Sequence, residues 1–285
     1  METIRQVHMM QGRCEELRRR GKRIAFVPTM GYLHEGHLSL LREGRRRGDV
    51  LALSIFVNPI QFGAGEDFAN YPRNLQRDKE LAVAVGTDLL FLPEKEALYP
   101  GGFATHVEVS GLTEDLCGRS RPGHFRGVTT VVCKLFNIIH PHVALFGCKD
   151  FQQLAVIRRM ARDLDMDIQV LGMPIVREAD GLAMSSRNVY LAPQERVQAL
   201  ALIDSLRLAR RLTVAGETAA AVIIDAVQQR ILREPAARID YVRICHQDTL
   251  REMDSITADS VLLLAVYVGT TRLIDNHILG EEIDP

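Results

Sequence analysis

The sequence predicts an α/β fold: a Rossmann-like, doubly wound parallel sheet followed by a smaller C-terminal α+β domain. Three observations carry this expectation. Short apolar runs alternate with helical patterns through the first 175 residues, the texture of a parallel sheet covered by helices. Polar clusters follow several of the apolar runs, where such sheets bind their ligands. After Pro174 the chain changes to long amphipathic helices and then alternating strands.

Five apolar runs read as buried strands: Arg23–Val27, Asp49–Phe56, Thr87–Leu92, His142–Phe146 and Asp167–Leu171. Helical spacing fills Glu2–Arg20, Leu38–Arg47, Asn74–Ala84, Val128–Ile139 and Phe151–Asp163. Beyond a boundary near residue 176, Ala192–Leu212 and Thr218–Arg233 read as amphipathic helices. Arg238–Cys245, Val261–Val268 and Thr271–Asn276 read as strands. The expected domains are therefore residues 1–175 and 176–285.

Composition narrows the function classes. The chain has 285 residues, 47% hydrophobic and 25% charged, as in an ordinary globular protein. With 35 basic and 36 acidic residues the formal net charge is −1, which offers no excess of positive charge for nucleic acid or an anionic membrane. The five cysteines are scattered, with no C-x-x-C pair, so a structural zinc site is not expected and a reducing compartment is. The first 23 residues are highly charged and lack an apolar signal core. The longest strongly apolar run, Val261–Val268, is too short to span a bilayer. We expect a cytoplasmic protein.

The first strand runs into Pro28-Thr29-Met30-Gly31-Tyr32-Leu33-His34-Glu35-Gly36-His37. Pro and Gly close the strand, and a helix follows. His34 and His37 stand three apart at that junction, so both imidazoles share one side of the first turn. Free backbone N–H groups at a helix start attract anions. Three readings fit the pair: a structural role, a metal site, or a nucleotide site. The pattern is not H-E-x-x-H, and no third ligand is close by in sequence. Gly31 and Gly36 allow a ligand near the backbone, which favours the nucleotide.

Later segments supply matching chemistry. Gly147-Cys148-Lys149-Asp150-Phe151-Gln152-Gln153 follows a strand and opens a helix. Lys149 offers a point charge for phosphate. Asp150 is placed to cap the helix or to accept from a ribose hydroxyl. Gln153 faces the same way, one turn on. Met184-Ser185-Ser186-Arg187-Asn188 puts two hydroxyls and a guanidinium in a loop expected to be mobile, suited to polyphosphate. Phe56-Val57-Asn58-Pro59-Ile60-Gln61-Phe62 supplies uncharged amides in an apolar frame. Arg121-Pro122-Gly123-His124-Phe125-Arg126-Gly127 reads as a basic, glycine-flanked flap or a turn before a helix.

Taken together, these segments resemble the pantothenate synthetase family. The resemblance rests on Pro28–Gly31 leading to His34–His37, Phe56–Pro59 with Gln61, Tyr71-Pro72-Arg73, and Arg121–Val128. Lys149–Gln153, Ser185–Asn188 and Leu273-Ile274-Asp275-Asn276 complete it, in family order. The resemblance implies the nucleotidyltransferase superfamily, related to class I aminoacyl-tRNA synthetases. His34–His37 then corresponds to their HIGH motif, and Met184–Arg187 stands in for their KMSKS loop. It further implies an ATP-dependent, AMP-forming ligase of the coenzyme A pathway that joins pantoate to β-alanine. The family uses magnesium and is typically a cytoplasmic homodimer.

By resemblance, ATP is expected at Met30, Gly31, Tyr32, Leu33, His34, Glu35, Gly36 and His37. Gly147, Cys148, Lys149, Asp150, Val176, Met184, Ser185, Ser186 and Arg187 are expected to complete its site. His34, His37, Lys149 and Arg187 are the catalytic candidates. His37 is the family's proton donor, although a hydrogen bond from it to the phosphates is chemically as good. Gln61 and Gln153 are expected to bind pantoate, with Gln61 also meeting β-alanine. Asp78 is a candidate magnesium ligand. Residues 176–285 are expected to act as a lid. Cys148 stands where the family usually has Glu, which alters charge beside the nucleotide.

Rival readings are another adenylate-forming enzyme of the superfamily and a nucleotide-binding regulatory module without catalysis. A dinucleotide oxidoreductase is disfavoured, because no G-x-G-x-x-G follows the first strand. A tRNA synthetase is disfavoured by chain length.

Overall fold

A computed structural model describes residues 1–283. In chain order the first elements are β1 Glu2–Ile4, α1 Val7–Arg19, β2 Ile24–Thr29, α2 Glu35–Arg47, β3 Val50–Ile55, α3 Leu75–Ala84 and β4 Leu89–Phe91. Next come the short α4 Lys95–Leu98 and α5 Cys117–Ser120, then α6 His124–Ile139, β5 Val143–Gly147, α7 Phe151–Asp163 and β6 Gln169–Met173. The remainder holds α8 Pro193–Ala199, α9 Ala201–Val214, α10 Ala220–Ile231, β7 Ala237–His246, β8 Ser260–Val268 and β9 Thr271–Ile278.

Two compact units result. The first is Met1–Cys148 with Gln152–Pro174; the second takes Lys149–Phe151 and the chain from Ile175 on. The first unit is built on a six-stranded sheet in the order β1-β4-β3-β2-β5-β6. Every neighbouring pair is parallel. Ile24–Val27 and Leu51–Leu53 are fully buried, as expected of strands covered on both faces. The strand order reverses between β2 and β5, so the loops leaving those two strands flank the switch point. The second unit packs α9 and α10 against an antiparallel sheet in the order β7-β8-β9.

Three boundaries differ from the sequence reading, each for a tertiary reason. Glu2–Ile4 is an edge strand rather than the start of a helix, because it completes the ladder beside Leu89–Phe91. Backbone pairing there outweighs the weak helical preference of three residues. Helix α6 starts at His124, not Val128, so the expected flap residues His124–Gly127 form its first turn. The helix expected over Ala192–Leu212 breaks at Leu200, which ends α8 and caps α9. There the Leu200 N–H bonds to the Val197 carbonyl three residues back, tightening the turn.

Candidate active site

The loop from β2 to α2 is shaped by three anchors. Thr29 Oγ1 donates to the Ser54 carbonyl at 2.8 Å and accepts from Gly31 N–H at 3.2 Å. Gly31 and Tyr32 both take left-handed conformations, at φ 84° and 50°. A Cβ on Gly31 would lie 2.9 Å from Ile55 Cγ2, so both space and backbone require glycine. The N–H groups of Tyr32 and Leu33 then point to Asp78, whose two oxygens accept them at 2.8 and 2.7 Å. Arg77 donates to the Leu33 carbonyl at 2.7 Å.

This loop delivers His34 to the N-cap of α2 and His37 to its first turn. The two rings stack with centroids 4.0 Å apart, tilted by 39°. His34 N–H donates to His37 Nδ1 at 3.3 Å. That bond makes Nδ1 an acceptor, so a neutral His37 ring carries its proton on Nε2. The helix start adds orphan N–H groups and the positive end of its dipole. Glu35, on the exposed side of the same turn, pairs with Arg42.

Beyond β3, a turn at Pro59–Gln61 carries a buried amide relay. Tyr99 Oη donates to Asn58 Oδ1 at 2.8 Å, and Asn58 Nδ2 donates to Gln61 Oε1 at 2.9 Å. Burial raises the Tyr99 hydroxyl above its ordinary value, which keeps it a donor. Gln61 is thereby oriented, with Nε2 turned to the weak acceptor Met30 Sδ at 3.3 Å. The carbonyl of Gln61 accepts from His124 Nδ1 at 2.9 Å, and His124 Nε2 faces Arg121 at 3.0 Å. Arg121 in turn binds Glu66, with Nε to Oε1 at 2.8 Å. A Cβ on Gly127 would lie 2.5 Å from the Ile60 carbonyl, so only glycine lets α6 approach this turn.

The second unit gathers another set. Met184 N–H donates to the Val176 carbonyl at 3.0 Å, closing a hairpin across Arg177 and Ala183. Arg177 grips Asp275 of β9 with two bonds of 2.7 and 3.0 Å. Ser185 Oγ caps the Ser186–Tyr190 turn by accepting from Arg187 N–H. Asn188 donates to Glu178 and to the Ala183 carbonyl. Asn276 donates to the Lys149 carbonyl at 2.9 Å.

Comparison with known proteins bears on what these residues serve. Residues 2–278 match the family profile described as Pantoate-beta-alanine ligase. The chain belongs to the pantoate-beta-alanine ligase family. It is 62% identical over 283 residues to a pantothenate synthetase of Syntrophotalea carbinolica, covering 99% of this chain and 100% of the relative. A crystal structure of pantothenate synthetase from Thermus thermophilus superposes with a TM-score of 0.93 at 44% identity, covering 99% of this chain and 100% of that one. A pantoate-beta-alanine ligase from Francisella tularensis, complexed with beta-gamma ATP and beta-alanine, gives a TM-score of 0.82 at 30% identity, with 99% of each chain covered.

Within this family fold, the first unit holds Met30–His37, Gln61, Asp78, Gly147, Cys148 and Gln153. The second holds Lys149, Asp150, Val176 and Met184–Arg187. The hairpin brings Val176 beside Met184. The Ser185–Arg187 segment is a capped turn rather than an untethered loop. Gln152 and Gln153 separate cleanly: Gln152 is buried and binds Cys117 N–H and the Leu112 and Asp115 carbonyls, whereas Gln153 is half-buried. The Cys148 side chain lies over β6, where a Cβ on Gly172 would sit 2.9 Å from its sulfur.

Three supporting residues escaped the sequence reading: Tyr99, Arg77 and Arg177. Each acts through distant residues, so no local spacing marks it. Among the described residues no group of three or more His, Cys, Asp or Glu side chains could hold a metal ion. Asp78 is 1% exposed, and both its oxygens already accept backbone N–H groups.

Proposed function

We propose that this chain condenses pantoate with β-alanine at the expense of ATP, through a pantoyl adenylate. The pantoate carboxylate attacks the α-phosphorus in line and pyrophosphate leaves. The β-alanine amine attacks the activated carbonyl, AMP leaves, and the new nitrogen loses a proton. Activation is required because an unactivated carboxylate would have to expel oxide. The protein's task is then positioning and charge stabilisation.

The observation that carries this reading is the pairing of two donor sites in the first unit. The helix start with His34 and His37 suits polyphosphate, and the oriented Gln61 amide suits an oxygen-rich acid. His37 Nε2–H is a hydrogen-bond donor for a phosphate oxygen whether or not it later gives up its proton. Gln61 presents N–H, the partner that a pantoate hydroxyl or carboxylate oxygen needs, in place of the weak Met30 sulfur. Gln153 is the second amide proposed for pantoate.

Lys149, Arg187, Ser185 and Ser186 are proposed as further phosphate ligands. Gly147, Cys148, Asp150, Val176 and Met184 are proposed to frame the nucleotide. Residues 176–285 acting as a water-excluding lid is part of the same proposal. Magnesium fits best as the counter-ion of ATP itself, arriving on the phosphates. The carboxylate of Asp78 does not fit as its ligand, and no step is assigned to the metal. A homodimer in the cytoplasm is likewise proposed; among the described residues no helix is long and apolar enough to cross a membrane.

The decisive test is an assay for pyrophosphate and AMP with pantoate and β-alanine omitted in turn. Pyrophosphate release should require pantoate, and AMP release should require β-alanine. Turnover indifferent to pantoate refutes the assignment.

A further inference from the structure

We propose that Arg77 and Asp78 are positioning residues: a two-residue clamp at the start of α3 that sets the β2–α2 loop, and through it the aim of His34 and His37. The inference deepens the adenylate-forming reading and rests on it for the identity of the ligand.

The loop needs an external support. Two consecutive left-handed residues, Gly31 and Tyr32, turn the chain out of β2, so the next N–H groups meet neither a strand nor a helix partner. For a tyrosine this conformation is strained and persists only where surroundings enforce it. Asp78 supplies the enforcement, with one carboxylate oxygen for each of the Tyr32 and Leu33 N–H groups. Arg77 holds the opposite end of the Leu33 residue by donating to its carbonyl, and its guanidinium lies 5.8 Å from the centre of the Tyr32 ring. The Leu33 residue is thus gripped on both its N–H and its C=O. Asn74 fixes the clamp itself, capping α3 by accepting from Arg77 N–H at 3.1 Å.

The next residue after Leu33 is His34, the cap of α2, and His34 N–H holds His37. An error in the loop therefore passes directly to both imidazoles. Displacements of about 1 Å at a reacting centre cost up to about a hundredfold in rate.

Asp78 is poorly explained as a stabilising residue alone. Burial pushes its carboxyl above the ordinary value, by more than the bonds from Leu33 and Tyr32 and the charge of Arg77 pull it down. A carboxylate is nevertheless the one side chain that accepts two N–H groups without a donor of its own. Asparagine would keep one bond and turn an N–H toward the other. The same two bonds, together with 1% exposure, speak against a metal-ligand role.

The test compares wild type with Asp78→Asn, Asp78→Ala and Arg77→Ala. Amide hydrogen exchange is read at Tyr32 and Leu33 in substrate-free protein, with Phe26 and Val27 of β2 as internal reference. In Asp78→Asn, exchange at Tyr32 or Leu33 should rise at least about tenfold with the reference amides unchanged. Turnover should fall by about ten- to a hundredfold with the magnesium midpoint unchanged. Asp78→Ala should fall further than Asp78→Asn, since asparagine keeps one acceptor. Arg77 is exposed, so its variant is the one least exposed to misfolding; it should lose turnover severalfold at an unchanged melting temperature. Unaltered exchange at both amides in Asp78→Asn overturns the clamp. So does a magnesium midpoint raised about tenfold with turnover restored at saturating metal, the signature of a lost ligand. Wild-type protein that forms no pantoate-dependent AMP would refute the function instead, so the two failures are distinguishable.

Discussion

The amide relay makes a quantitative prediction through Tyr99, a residue that need not touch any substrate. Tyr99 is 9% exposed, Asn58 1% and Gln61 8%. In Tyr99→Phe the Asn58 Oδ1 atom loses its 2.8 Å donor inside the protein. An orphaned buried acceptor costs about 1–3 kcal/mol. The chain has two ways to bear that cost. It keeps the Asn58 orientation and loses stability, or the Asn58 side chain shifts to reach another donor and gives up its bonds to Gln61 Oε1 and to the Gly127 carbonyl. In the second case Gln61 is released to present oxygen rather than N–H to an incoming carboxylate or hydroxyl. If the whole penalty falls there, pantoate binding weakens by about 5- to 150-fold, at about 1.4 kcal/mol per tenfold change. Steady-state pyrophosphate release at saturating ATP reads this as a raised KM for pantoate with KM for ATP unchanged. A lowered melting temperature with an unaltered KM for pantoate would sink the relay, leaving Tyr99 a purely structural residue.

Other expectations concern separate parts of the molecule. His37→Ala should lower turnover by about 10²–10³-fold, the scale for losing one preorganised donor; near-normal activity removes His37 from the chemistry. Cys148→Glu should change ATP affinity by less than about tenfold, measured by calorimetry, because the Cys148 side chain packs over Gly172 and a role through the backbone tolerates the change. A larger change would mean that the side chain at 148 acts on the nucleotide. The Glu66–Arg121 pair should give an acid-labile contribution to stability. Burial pushes the Glu66 carboxyl up, but its hydrogen bond to Arg121 and that residue's charge outweigh it, and the carboxyl ends below its ordinary value. The contribution is therefore complete above pH of about 4.3 and drains away as pH falls through the depressed value. Melting curves of wild type and Glu66→Gln should converge in acid; a gap that persists undiminished refutes the link.

The strand–helix alternation and the change to an antiparallel α+β unit were legible in the sequence because they are local. Buried parallel strands must be apolar throughout, and Pro, Gly and helix caps punctuate them at short range. His34 and His37 lie three apart, so one helical turn is enough to place them together. What stayed hidden was everything decided by partners far along the chain. Glu2–Ile4 forms a strand because an open sheet edge awaits it at Leu89–Phe91. Nothing in Gln152-Gln153 says which amide is structural; that depends on the turn at Leu112–Cys117, which claims Gln152. The sequence offered Asp78 as a candidate magnesium ligand; its observed partners are two N–H groups more than forty residues away. A side chain's chemical type is written in its own letter, whereas its hydrogen-bond partners and burial exist only once the chain has closed around it. For this protein the sequence determined which family the chain belongs to, and tertiary structure decided how the Gln61 amide and the His37 ring are turned.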